Sequence, residues 1–282
     1  MLFLSSLFRW SSQRRGGIVK VRAPRHEHKF RQSFLNQWFL CPESARRKHL
    51  GLMPPETNNS NLVRGNAVHG AIEWFGGEWM ETNRLPDAGD LIEFGLNEFE
   101  LFANEDGTVW HQDAEQVEGA VRGNLDMWYT EVLPQLDCPT DVELYFNKVL
   151  YEDNDRVIRL SGTCDWVQDE WLVDWKNPSK APRKNEMWIK HRSNLQSHVY
   201  TWALETPKFS LCHLSQPDVA WTHMERGFQD HAALTDLCLS VAIQIEANLP
   251  SAIQQWDSWY CSPKWCGAWD TCRGKFLGED PF

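Results

Sequence analysis

Asp165, Asp174 and Lys176 are the residues of this sequence best spaced to do chemistry. Asp165 closes one apolar strand. The triplet Asp174-Trp175-Lys176 closes the next, with Trp171-Leu172-Val173 supplying its apolar run. Side chains alternate faces along a strand, so Asp174 and Lys176 share a side and Trp175 points away. Two carboxylates beside a lysine can hold a hard divalent cation and steer a water toward a phosphate. Asp-x-Lys and Glu-x-Lys triplets are common by chance, and Glu27-His28-Lys29 is another, in a basic stretch with no strand before it. Context separates the two: a strand ending Gly162-Thr163-Cys164-Asp165 precedes Asp174, and a helix follows it.

The elements that must position these residues follow from periodicity. Phe34 to Leu50 reads as a helix broken near Cys41-Pro42. Asn61 to Met80 reads as a longer one that ends at Gly76-Gly77. Ala88 to Asn104 and Gln112 to Leu133 carry apolar residues at helical spacing. The pattern then changes to a three-strand meander over Val142 to Tyr151, Arg156 to Gln168 and Trp171 to Trp175, closed by Asn177-Pro178. A helix over Glu186 to Glu205, strands over Phe209 to Leu214 and Val219 to Gly227, and a helix over His231 to Ala247 follow. The segment from Trp256 has no periodicity. This order predicts an α/β core, a central mixed sheet flanked by helices, under a helical N-terminal cover. Residues 1–31 read as a basic, disordered tail and 32–282 as a single domain. The Arg- and Ser-rich start leaves a transit peptide or a DNA-touching arm as other readings.

Net charge is −11, the wrong sign for a protein that simply coats nucleic acid. It does not exclude an enzyme with local basic strips, and Arg46-Arg47-Lys48-His49 and the run Lys180, Arg183, Lys184, Lys190, Arg192 are such strips. The second is the candidate phosphate-contacting segment. Most of the 16 tryptophans are expected in the core. No apolar run reaches membrane-spanning length. The eight cysteines fall into two populations. Cys138, Cys164, Cys212 and Cys238 are scattered through apolar segments, as small core residues are. Cys261, Cys266 and Cys272 cluster near the end, and Cys41 stands alone near the start.

Gly65 and His69 lie on the helix upstream of the acidic pair, and Gln196 and Tyr200 lie four apart on a downstream helix and share a face. The ordered set Gly-x-x-x-His, Gly-x-x-Asp, Asp-x-Lys, Gln-x-x-x-Tyr resembles the PD-(D/E)XK nuclease superfamily, specifically its RecB-like branch. Glu143 also stands where such nucleases often carry a glutamate. The four cysteines Cys41, Cys261, Cys266 and Cys272 are similar to those of the iron–sulfur exonuclease subgroup. Four residues separate Cys261 from Cys266, where two are usual.

The resemblance implies a restriction-endonuclease-like core and hydrolysis of DNA phosphodiester bonds. It implies Mg²⁺ or Mn²⁺ held by His69, Asp165, Asp174 and the Trp175 carbonyl. Lys176 would steer the nucleophile, with Gln196 and Tyr200 beside the site. It further implies a [4Fe–4S] cluster, or Zn²⁺, on the four cysteines, clasping the two ends of the domain. The expected partners are DNA with single-stranded or free ends and a helicase, recombination or replication protein. The expected location is the cytoplasm of a bacterial or virus-infected cell. The competing readings are a non-catalytic iron–sulfur or zinc DNA-binding module with a relic site, and a structural zinc protein.

Overall fold

The computed structural model describes residues 25–54, 58–178, 194–249 and 257–273. Six strands form one mixed sheet: β1 His26–Arg31, β2 Asp141–Glu152, β3 Arg156–Gln168, β4 Trp171–Lys176, β5 Lys208–Ser215 and β6 Asp218–Glu225. The hub is β3. Along one edge it pairs antiparallel with β2. The other edge is shared end to end, with parallel β1 taking Arg156 to Ser161 and antiparallel β4 taking Trp166 to Gln168. Gly162 to Asp165 therefore face a gap between two strand ends. After Val173, β4 leaves β3 and continues parallel to β5 as far as Lys176 and His213. The strands that carry Asp165 and Asp174 diverge at the carboxylates.

Helices cover both faces. Helices α1 (Gln32–Leu40), α2 (Pro42–His49), α6 (Leu195–Leu204) and α7 (Phe228–Glu246) pack one face around Phe30, Leu160, Val199 and Cys238. Helices α3 (Ser60–Thr82), α4 (Ala88–Ala103) and α5 (Ala114–Met127) pack the other around Phe75, Val121, Trp166 and Trp175. A π turn, Trp128–Val132, and a 3₁₀ turn, Leu133–Gln135, end this layer. Side-chain caps start the helices where the backbone N–H groups lack partners. Asn59 accepts from Asn61 and Leu62, Asp87 from Asp90, Asp113 from Glu115 and Asn194 from Gln196.

Two sequence expectations are corrected here. The basic tail does not run to residue 31, because His26–Arg31 is a sheet strand with Phe30 fully buried. Glu27-His28-Lys29 thus lies in a strand, but at the opposite end of the β3 edge from the acidic pair. Nor does α3 end at Gly76-Gly77. A Cβ on Gly76 would lie 2.6 Å from Val142 Cγ1 and 2.7 Å from Trp166 Cζ3, so glycine is what lets the helix press against the sheet. The helix runs to Thr82, and Asn83 ends it in the left-handed conformation, φ 54°. Of the expected helix over Glu186 to Glu205, residues 186–193 lie outside the described residues.

Candidate metal centre and active site

The site is built at the fork between β3 and β4. Val142 and its partner Trp166 pack toward α3–α5, whereas Leu144 and its partner Cys164 pack toward the opposite layer. Residues two apart on a strand ordinarily share a face. Both strands therefore switch faces at Glu143 and Asp165. Glu143 makes the switch with φ +47°, a left-handed conformation that costs a non-glycine residue on the order of 1 kcal/mol. The ladder register skips it. The result brings two carboxylates together on neighbouring strands.

Helix α3 supplies the third group. His69 Nδ1 lies 3.2 Å from Asp165 Oδ2. One ligand atom each from His69, Glu143 and Asp165 lies within 4.8 Å of the others, a grouping able to hold a metal ion. The same Asp165 oxygen accepts the Trp175 backbone N–H at 2.8 Å. It stands in for the strand partner that Trp175 loses where β4 leaves β3.

Asp174 sits beside this trio, 2% exposed, with both oxygens engaged. Lys176 forms an ion pair with Oδ2, and Gln196 of α6 donates its amide to Oδ1. Lys176 and Asp174 do share a strand side, as alternation predicts. Tyr200, one turn along α6, packs its ring edge-on against Phe146 and Phe209. Its hydroxyl meets Gln196. It braces the residue that fixes Asp174.

The electrostatics follow from burial and crowding. Burial, then the neighbouring Asp174, pushes Asp165 well above the usual carboxylate range. Burial and Asp165 push Glu143 up to about 7. Burial lowers His69 despite the pull of Asp174, favouring the neutral imidazole that binds metal. Burial opposes the charge on Lys176, but Asp174 and Asp165 more than offset it, and its pKa is raised. An acidic group set forced toward protonation is relieved by a dication, so the residues fit a divalent metal.

Behind the site stand Trp128, Trp166 and Trp175, all essentially unexposed, with ring centroids 6.0–6.1 Å apart in edge-on pairs. Burying each contributes on the order of 4 kcal/mol. Trp166 follows Asp165 and Trp175 follows Asp174, so this packing holds the two carboxylate-bearing strands rigidly.

The four singled-out cysteines converge elsewhere. Cys41, Cys261, Cys266 and Cys272 line one small cavity between the start of α2 and the 257–273 segment. Burial raises the thiols of Cys41, Cys266 and Cys272, and each sulfur also feels the others. The Ser44 backbone N–H favours the Cys41 thiolate, and Arg47 favours those of Cys266 and Cys272. Arg47 also bonds Thr271 Oγ1 at 2.8 Å. Cys164, Cys212 and Cys238 are core residues, and Cys138 is half-buried.

Lys180, Arg183, Lys184, Lys190 and Arg192 lie outside the described residues, so the candidate phosphate strip has no structural account. The other strip is partly spent internally, because Arg46 and Arg47 both bond Glu43, at 2.7 and 2.8 Å. Residue types and spacing alone did not single out Glu143. No sequence signal announced its left-handed backbone.

The sequence signature of the PD-(D/E)XK nuclease superfamily matches residues 32–273. No curated protein matches the chain. Among solved structures, one titled "Crystal structure of SSO0001" is similar over 84% of this chain and 96% of that one, at 15% identity and a TM-score of 0.38. That likeness is too loose to bear on function.

Proposed function

The chain belongs to the PD-(D/E)XK nuclease superfamily, and from that premise we propose that it is an Mg²⁺- or Mn²⁺-dependent deoxyribonuclease that works as an exonuclease on single-stranded ends. The observation that carries the reading is the convergence of His69, Glu143 and Asp165 within 4.8 Å, next to the Asp174–Lys176 ion pair. These three residues would hold the metal, with Asp174 and the Trp175 carbonyl adjoining. When bound, the ion polarises a phosphoryl oxygen and acidifies a water. Lys176 Nζ keeps its proton beside Asp174, so its part is to orient the attacking water and offset charge on the phosphate. Gln196 holds Asp174 in register for both neighbours. A relic site would have no need to keep this set bonded together.

The preference for single-stranded ends rests on the likeness of the ordered motifs and cysteines to iron–sulfur exonucleases. Four thiols around one cavity, with Arg47 and a helix-start N–H turned toward them, support a metal cluster there. The likeness of the four cysteines to those of iron–sulfur exonucleases is what favours a [4Fe–4S] cluster over zinc, since four thiolates suit either.

End-labelled linear and circular single-stranded DNA, incubated with Mn²⁺ and separately with chelator, test the reading. Linear DNA should be degraded only with metal, and circles should survive. Circles cut at the rate of linear DNA would sink the exonuclease, and no cutting of either would leave the relic module.

A further inference from the structure

Arg64 is 6% exposed, yet among the described residues it faces no carboxylate. Its one hydrogen bond runs from Nη2 to the Asn177 carbonyl at 2.7 Å, and its Nε is buried without a partner. Burial lowers its pKa with no neighbouring acid to offset the effect. A guanidinium held out of water without a counter-ion is costly, and one neutral carbonyl does not compensate it. Two more donors stand beside it. Asn124 Nδ2 meets Asn177 Oδ1 at 3.4 Å, and Asn177 Nδ2 is itself buried and unpartnered. The cluster is rich in N–H groups and, among the described residues, has no acid in it: the chemistry of an anion site.

Its place says which anion. Asn177 directly follows Lys176, and Arg64 precedes His69 by five residues on α3, about 7.5 Å along the helix axis. Five residues also turn the side chain about 140° round the helix from His69, so what ties Arg64 to the site is its bond to Asn177, the residue directly after Lys176. We propose that Arg64, Asn177 and Asn124 bind the backbone phosphate next to the scissile one and so fix the register of the strand. The proposal rests on the nuclease reading above. Arg64 is a positioning residue here. It touches the substrate backbone and not the reacting atoms.

The test measures binding without divalent metal, so that it does not depend on cleavage. Oligothymidylates, each with one uncharged methylphosphonate at a successive position, are titrated by fluorescence anisotropy. The wild type should bind one of them about tenfold more weakly than the unmodified strand. Arg64→Gln should bind that strand and the unmodified one alike, and Arg64→Lys should recover part of the difference. Because Arg64→Gln also loosens the tie between α3 and β4, Asn177→Asp gives an independent arm. It supplies an internal counter-ion, so thermal stability should hold or rise while the discrimination disappears. Discrimination that survives in folded Arg64→Gln or Asn177→Asp overturns the site. So does Arg64-dependent binding of inorganic phosphate with no discrimination among the oligonucleotides, which would make it a free-phosphate pocket. A wild type that discriminates but never cleaves with Mn²⁺ leaves this site standing and removes the nuclease reading alone.

Discussion

His69 Nδ1 and Asp165 Oδ2 lie 3.2 Å apart, and this contact ties the helical layer to the sheet at the fork between β3 and β4. Without metal, the histidine is pushed toward its neutral form and the aspartate toward its protonated one. A cation between them would restore the aspartate's charge and use the imidazole lone pair. His69→Ala should therefore raise the Mn²⁺ concentration needed for half-maximal cleavage by at least about tenfold, with little change in DNA affinity. An unchanged metal requirement with weaker DNA binding would remove His69 from the ligand set.

Asp174→Ala and Lys176→Ala should each lower the cleavage rate by about a thousandfold or more while the protein stays folded. Gln196→Ala should cost less, because it releases Asp174 without removing it. Circular dichroism with single-turnover rates separates the cases. Wild-type rates in a folded Asp174→Ala/Lys176→Ala double variant would end the catalytic assignment.

The two carboxylates of the trio, Glu143 and Asp165, also make stability depend on pH and metal together. Glu143 and Asp165 have folded-state pKa values raised above their unfolded ones. Their contribution is thus fully present below about pH 4, where both states are protonated. It is lost as pH rises through about 7, where Glu143 must ionise among other acids. Divalent metal needs the same groups deprotonated, so its binding competes with protons. The gain in Tm on adding Mg²⁺ over chelator should grow between about pH 5 and pH 7. His49, His198 and His231, lowered chiefly by burial, act the other way, removing stability as pH falls below about 6.5. Taking the Mg²⁺-minus-chelator difference at each pH cancels them. A constant difference across that range would contradict a proton-linked metal site.

The meander and the shared side of Asp174 and Lys176 were legible in sequence because strand periodicity depends on local side-chain pattern alone. The switch of faces at Glu143 and Asp165 was not, since it comes from one left-handed residue that local pattern does not mark. Strand β1 was hidden for a different reason. His26 to Arg31 is nearly all polar or charged, and only its alternating burial of His28 and Phe30 against β3 makes it a strand. Arg64 escaped notice because an arginine on a helix reads as solvent-exposed until packing shows otherwise. Gly76-Gly77 misled in the opposite sense, since glycine within a helix marks close approach as readily as an end.

Gly65 gives a prediction with a definite sign. Nothing lies within 4 Å of where its Cβ would stand, and it sits inside α3. Glycine in a helix interior is less favourable than alanine by roughly 0.5–1 kcal/mol. Gly65→Ala should therefore raise stability by about that much in urea titration. If cleavage falls in the stabilised variant, the glycine is there for the approach of substrate. A loss of stability would mean the helix is not as open at this position as described.

The cysteine clasp is the last test. Segment 257–273 contains only turns. Cys266 and Ala268 are buried, Gly267 lies against Pro54, Tyr260 meets Ser44 at 3.4 Å, and Arg47 donates to Thr271 Oγ1 at 2.8 Å. On the cluster reading proposed above, a metal held by the four thiols would add to these contacts and fasten the segment against α2. Protein purified without oxygen should be brown, as thiolate-bound iron–sulfur proteins are. Cys41, Cys261, Cys266 or Cys272 changed to Ser should bleach it and lower Tm by several degrees. Cys138, Cys164, Cys212 or Cys238 changed to Ala should keep the colour, since these side chains lie away from the cavity. Any loss of stability there reflects packing. One zinc and no iron by elemental analysis would replace the cluster and keep the clasp. Neither metal, in protein that retains full stability, would remove both and leave the four thiols as ordinary buried side chains.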